Sequence, residues 1–359
     1  MRSERPRRLA TLFASLLVVA ACSSPAATGP GKTGNTPATA GPQTTAPEAS
    51  NVSAKLVIGS VANFNGVQFA VADTGGFFKK NGLDVEVQIF ADGGQLRSAL
   101  LGGSLDAILS GTTSMIPVYK ADNGVRVTSA LTGVGDELIM KESLRPELGT
   151  GLANVSKLKG KTIAVNAAGS LSDNDLRTFL AANNLVADTD VKIVAVGSGT
   201  AQLQALETGQ VDGFIGAEPG GAQAENNKTG YIMLNFAVDP VYPNSSEQRG
   251  LVVVFAKKWM DGDAAVAKQF TRAIAQATAA IRADPNLAVT AVGEMLPNLD
   301  KAVLQKAATT FVSNYKVDVP KAGWDSLMTQ AKDAGIIDDL VAYEDVVAPY
   351  QDIWAESGQ

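Results

Sequence analysis

Two stretches of this chain say nearly the same thing. Residues 99–114 read ALLGGSLDAILSGTTS, and residues 205–220 read ALETGQVDGFIGAEPG. Laid over one another without gaps, Ala99 falls on Ala205, Leu100 on Leu206, Gly103 on Gly209 and Asp106 on Asp212. At the same offset Val87 falls on Ile193 and Gly93 on Gly199. The duplicated unit is a strand, a glycine turn, a helix, a G-x-x-D step, a strand and a loop. Such units fold as parallel sheets covered by helices. Two of them predict two similar lobes, and 359 residues leave room for about two domains. Gly103, Asp106, Gly209 and Asp212 are expected to be turn residues that hold each unit together.

The alternation of strand and helix runs through the whole body. The first pass predicts strands at 55–60, 84–90 and 107–110, with helices at 67–81, 95–101 and 113–122. The second predicts strands at 161–165, 191–196 and 213–216, with helices at 172–182 and 199–208. RGLVVVFAKKWM (249–260) reads as a strand returning to the first lobe. The remainder is helical. Within 264–284, Val266, Phe270, Ala273, Ile274, Ala277 and Ile281 form one stripe at helical spacing, which assigns them to the core. The expected layout is 55–140 with 249–359 as lobe 1 and 141–248 as lobe 2, hinged near 138–141 and 249–254.

What precedes the body is of another kind. Arg2, Arg5, Arg7 and Arg8 lead into an apolar run, Leu9 to Ala21, shorter than the ~20 residues of a membrane-spanning helix. It reads as an export signal over 1–21. Val19-Ala20-Ala21-Cys22 resembles the lipobox of bacterial lipoproteins, and Cys22 is the single cysteine, so Cys22 is the expected lipid attachment point. Residues 22–54 are rich in Pro, Thr, Ala, Gly and Ser and read as a disordered tether. The body is then expected on the outer face of the cell membrane, without disulfides, stable through its core alone. Removing Arg2, Glu4, Arg5, Arg7 and Arg8 leaves 26 basic against 35 acidic residues, a net charge of −9. With no cluster of Lys and Arg among aromatics, nucleic acid is not an expected partner.

In an open parallel sheet, small ligands bind beyond the carboxyl ends of the strands. Four loops qualify. Asn63-Phe64-Asn65 follows the first strand, with Phe64 as an aromatic platform. Ser110-Gly111-Thr112-Thr113 follows the third and offers three hydroxyls and a close backbone approach. Gly169, Ser170 and Ser172 precede a helix whose free N–H groups make a potential anion site, although Ser172 also reads as a plain N-cap. Gly216 and Glu218 lie in the equivalent loop of the second unit. Arg249 offers a full positive charge. The helix N-termini favour a small organic anion such as a sulfonate or a carboxylate, or nitrate; Glu218 and Asp173 favour a cationic or hydrogen-bonding ring compound, and the expected solute is the organic anion.

ADTGGFFKKNGLDVE (72–86), ALLGGSLDA (99–107), LKGKTIAV (158–165) and ALETGQVDGFIGAEP (205–219) occur in this order behind the lipobox-like stretch. In this the chain resembles ABC-transporter substrate-binding proteins of the nitrate/sulfonate/taurine and thiamine-precursor type. The resemblance implies an α/β, type II periplasmic-binding-protein fold, its two lobes mostly parallel sheets flanked by helices and joined by two crossing strands. It further implies a monomer that captures a small molecule and delivers it to an ABC-transporter permease. No cofactor or metal is implied.

Competing classes lose on residue chemistry. The chain has no histidine and no cysteine beyond Cys22, which removes His-based acid–base catalysis, Cys nucleophiles and His-ligated zinc. Enzymes of thiamine-precursor synthesis with this fold use both residues. The dinucleotide-like VAVGSG (194–199) has Gln202 where a third glycine belongs, and Gly160-Lys161-Thr162 lacks a P-loop's first glycine. A tethered sensor with the same cleft stays open as the alternative to transport.

Overall fold

A computed structural model describes residues 53–261 and 264–357. The export signal, Cys22 and the tether through residue 52 lie outside them. The strands are β1 (Ala54–Val61), β2 (Leu83–Phe90), β3 (Ala107–Gly111), β4 (Arg126–Gly133), β5 (Glu137–Lys141), β6 (Thr162–Val165), β7 (Lys192–Ala195), β8 (Gly213–Gly216), β9 (Gly230–Asn235) and β10 (Arg249–Phe255). They form two sheets, ordered β2-β1-β3-β10-β4 and β7-β6-β8-β5-β9. The fold is the expected two-lobed α/β architecture. In each sheet the parallel strands come from the duplicated unit, and one strand, β10 or β5, runs antiparallel between its neighbours.

The duplication in the sequence is a duplication in hydrogen bonding. Ile58 of β1 pairs with Val87 and Ala107; Ile163 of β6 pairs with Ile193 and Gly213. Asp106 accepts the Val57 N–H at 2.7 Å, and Asp212 accepts the Thr162 N–H at 2.8 Å. Each aspartate thus pins the first strand of its unit from the turn before the third. Gly103 and Gly209 take φ of +77° and +76°, a left-handed conformation that costs glycine least, so the G-x-x-D step is a structural clasp. Asp106 is held further by the Trp259 indole at 2.8 Å and the Lys258 ammonium at 2.6 Å. Burial alone would raise its pKa, yet these donors hold it below the usual carboxylate value. Asp106→Ala leaves the Val57 N–H and Trp259 unmet and should cost about 1–3 kcal/mol. Asp212→Ala, with no indole and ammonium partner of the kind that Asp106 has among the described residues, should cost less. Urea midpoints of the two variants, compared with the parent, test the order.

Three expectations need correction. The helix over 67–81 is two helices, Val67–Thr74 and Phe77–Lys80, because Gly76 turns left-handed at φ +68° between them. β4 is an additional strand. And β5 belongs wholly to the second sheet, so the first crossing between lobes is 134–136 and the second is 236–248, each just before the stretch expected to hinge. Lobe 1 therefore loses 137–140 to lobe 2.

The helical remainder packs on lobe 1. All six residues of the predicted stripe are buried in the helix Ala264–Ala283, where Phe270 meets Phe69, Phe78 and Phe255 at ring distances of 5.0–5.8 Å. The chain end returns to β4, where the Trp354 indole donates to the Thr128 carbonyl. Among the described residues, no helix is long and apolar enough to cross a membrane.

Candidate functional site

The strands of both sheets end at one cleft. Its outer part, about 690 Å³, narrows into a recess of about 60 Å³, and the two share Val61, Asn63, Ala91, Asn166, Ser198 and Ala217. These six stand beyond the carboxyl ends of β1, β2, β6, β7 and β8, so both units contribute the same topological edge. The lobes already touch across it. The Ser198 hydroxyl donates to the Ala91 carbonyl at 3.2 Å, the Phe64 N–H donates to the Glu218 carbonyl at 3.2 Å, and Lys306 pairs with Glu225. A second cavity, about 600 Å³, lies against both crossing segments at the far end of the helix Leu171–Ala182, giving the crossings room to bend.

Of the predicted site residues, Asn63, Asn65, Ser110, Gly111, Ser170 and Ser172 line the recess together. The other seven do not line it. Phe64 is fully buried, its ring 6.1 Å from Phe311, so it is core and not a platform. The Thr112 hydroxyl donates to the Arg249 carbonyl, and Thr113 accepts from Asn174, both as structural bonds. The Gly169 N–H is held by Asp173 at 2.8 Å. Gly216 faces Gln202, whose carboxamide oxygen would stand 3.0 Å from a side chain's first carbon there. Glu218 is fully buried, one carboxylate oxygen accepting the Ala222 N–H. Arg249 is committed elsewhere: it pairs with Asp318 at 2.7 Å and donates to the carbonyls of Asp318, Ser246 and Gln248. Those partners stand far along the chain or on the backbone, where no sequence motif shows them.

The anion site expected at helix N-termini is filled from within. Asp92 caps the helix Gly93–Leu101 by accepting the Gly94 and Gln95 N–H groups at 2.7 and 3.0 Å. Ser170, not Ser172, caps the helix Leu171–Ala182, and Asp173 sits in its first turn against Arg177 at 2.8 Å. Carboxylates of the protein thus stand at the dipole ends of these two helices, whereas the helix Thr200–Glu207, whose start lines the outer cleft, has no side-chain cap. The recess instead holds side chains not picked out from the sequence: Asn166, Arg97 and Asp136. Asn166 follows β6 directly and has a buried carboxamide oxygen without a hydrogen-bond partner. Its place after the strand KTIAV is the one signal that could have found it.

Four buried carboxyls surround the start of β5. Burial raises Asp136 and Glu218 to about 7, and it holds Glu137 and Asp175 well above the usual range, with Glu218 adding to the effect on Glu137 and Asp136 to that on Asp175. A raised value means the protonated group favours the folded state. That contribution is complete below the unfolded carboxyl range and is lost as pH rises through about 7. The denaturation midpoint should therefore fall from about pH 5 to about pH 8, and Glu218→Gln should flatten the fall. A midpoint that rises over this interval would contradict the burial argument.

Two lobes, crossed twice by the chain and closing their strand ends on one cleft, have the fold of the periplasmic binding proteins. The chain belongs to the NMT1-like family, whose model matches residues 49–293. No curated protein matches its sequence. Among solved structures, a protein of Bordetella bronchiseptica RB50 is similar at 24% identity, with 85% of this chain and 96% of that one covered and a TM-score of 0.68. The periplasmic aliphatic sulphonate binding protein SsuA of Escherichia coli is similar at 16% identity over 82% and 92%, TM-score 0.65. The periplasmic nitrate-binding protein NrtA of Synechocystis PCC 6803 is similar at 16% over 86% and 89%, TM-score 0.63.

Proposed function

We propose that this protein is the exported solute-binding subunit of an ABC-type importer. It is tethered to the outer face of the cell membrane through lipid on Cys22, and it binds its solute without making or breaking a bond. As a monomer it closes about the crossings at 134–136 and 236–248 and presents the closed form to a permease. The observation that carries this reading is the cleft itself, lined from both lobes at the strand ends. Among the described residues, no charged side chain lines the outer cleft: its wall carries the carboxamides of Asn63, Asn166 and Gln223 together with Phe90, Met295 and Leu299. Asp92 and Asp173 meet two of the helix ends, Arg249 is paired to Asp318, and Arg97 beside Asp92 is the cationic side chain that lines the recess, while none lines the outer cleft. The solute we infer is an organic molecule with an apolar body, read by carboxamides and carrying no anionic group.

A thermal-shift screen of amines, amides, heteroaromatic compounds, alkanesulfonates and nitrate tests this. A solute at 100 times its dissociation constant adds about 2.7 kcal/mol. The expected hits are amides, amines or heterocycles; nitrate or an alkanesulfonate as the strongest hit would reject the solute class. Uptake of the hit that depends on a permease separates an importer from a sensor.

A further inference from the structure

The recess poses a charge problem that the outer cleft does not. Its charged side chains are Asp92, Arg97 and Asp136. Arg97 and Asp92 act on each other and offset, while Arg97 makes no hydrogen bond among the described residues. Asp136 stands alone. It is 3% exposed and lies on the first crossing, and among the described residues no hydrogen bond to its carboxylate is seen. Behind it, on the helix Leu171–Ala182, is Asp175, 5% exposed, with one carboxylate oxygen buried and unpartnered. The Tyr242 hydroxyl from the second crossing feels both charges and is itself buried and unpartnered. Glu137, the next residue, is buried and adds a further carboxyl. No Lys or Arg acts on Asp136 or Asp175.

Two carboxyls in a low-dielectric pocket without a cation cannot both ionise, so in the empty cleft at least one keeps a proton. One of the two opens on the space where a solute lodges. Beside it lies the unpartnered Asn166 carboxamide oxygen, a second acceptor. One retained proton and the Tyr242 hydroxyl are the donors on hand for these acceptors, and an ammonium brings three more together with the missing charge. We propose that Asp136, backed by Asp175, is the subsite for a protonated amine on the captured solute. The ammonium enters with its own protons, forms a charge-assisted hydrogen bond to Asp136, and the proton held by the pair leaves to solvent. Affinity then rises with pH until the amine itself deprotonates.

This rests on the reading of the cleft as a solute site. The probes are benzylamine, benzyl alcohol and benzoate, one ring with three different ends, added at matched millimolar concentration to the whole protein. Benzylamine should raise the melting temperature most, and more at about pH 8 than at about pH 6. Asp136→Asn, nearly isosteric, should abolish that advantage and its pH dependence, and Asp175→Asn should reduce the pH dependence alone. Calorimetry in two buffers of different ionisation enthalpy should show about one proton released per benzylamine near pH 6. Equal shifts from the alcohol or the acid, a benzylamine shift that survives Asp136→Asn, or no shift from any probe overturns the subsite. If the wider screen still yields a solute that protects both lobes, the subsite falls and the solute-binding reading stands; if it yields none, that reading falls as well.

Discussion

Phe270→Ala should lower the stability of the protein by about 3–5 kcal/mol, the range for emptying a buried aromatic position. Phe270 is fully buried where three elements of lobe 1 meet. Its ring lies 5.0 Å from Phe78, 5.1 Å from Phe255 and 5.8 Å from Phe69, the last two edge-on. Those neighbours come from the split helix after β1 and from the end of β10, so the cavity would sit under the return strand that begins at the second crossing. The side chains around it are large and anchored in separate elements, which prevents them from collapsing into the space. Urea denaturation followed by tryptophan fluorescence reads the loss, since Trp259, Trp324 and Trp354 all lie in lobe 1 or its helical extension. A loss under about 1 kcal/mol would mean that the cluster is not the keystone of that lobe.

Arg249→Ala is the second large effect, and its sign separates two roles for this residue. Were Arg249 a ligand partner, removing it would weaken binding and leave the fold intact. The structure makes it a strut. Its guanidinium is 8% exposed, meets the Asp318 carboxylate at 2.7 Å and closes three backbone carbonyls just after the second crossing. Removing the guanidinium takes a forked donor from the Asp318 carboxylate, 32% exposed, and from three carbonyls, one of them in a fully buried bond, a loss of about 1–3 kcal/mol. Arg249→Lys keeps the charge but not the forked donors, and should recover only part. Unchanged stability with weakened solute binding would return Arg249 to the cleft.

Legibility followed distance along the chain. The two units, their glycine turns and the clasping aspartates were readable because each is a short local pattern, written twice. The buried stripe of 264–284 was readable for the same reason: one helix, one period. The hinge was not, because only the sheet partners of Glu137–Lys141 decide which lobe owns that strand, and those partners are Gly213–Gly216 and Gly230–Asn235. Site residues divided along the same line. Asn63 and Ser110 follow from the rule that ligands meet strand ends. Arg249 was misread because its counter-charge, Asp318, is 69 residues away. Asp136 was missed because a lone aspartate in a crossing segment carries no motif; its meaning comes from Asp175 and Tyr242, which only the fold brings beside it.

Hydrogen–deuterium exchange of the protein with and without the strongest screen hit bears most directly on capture between lobes. Slowed exchange is predicted together at 61–65 and 91–97 of lobe 1 and at 166–172 and 198–202 of lobe 2, with altered exchange at 134–136. Protection confined to one lobe, or none at either rim while the solute stays bound, would contradict it.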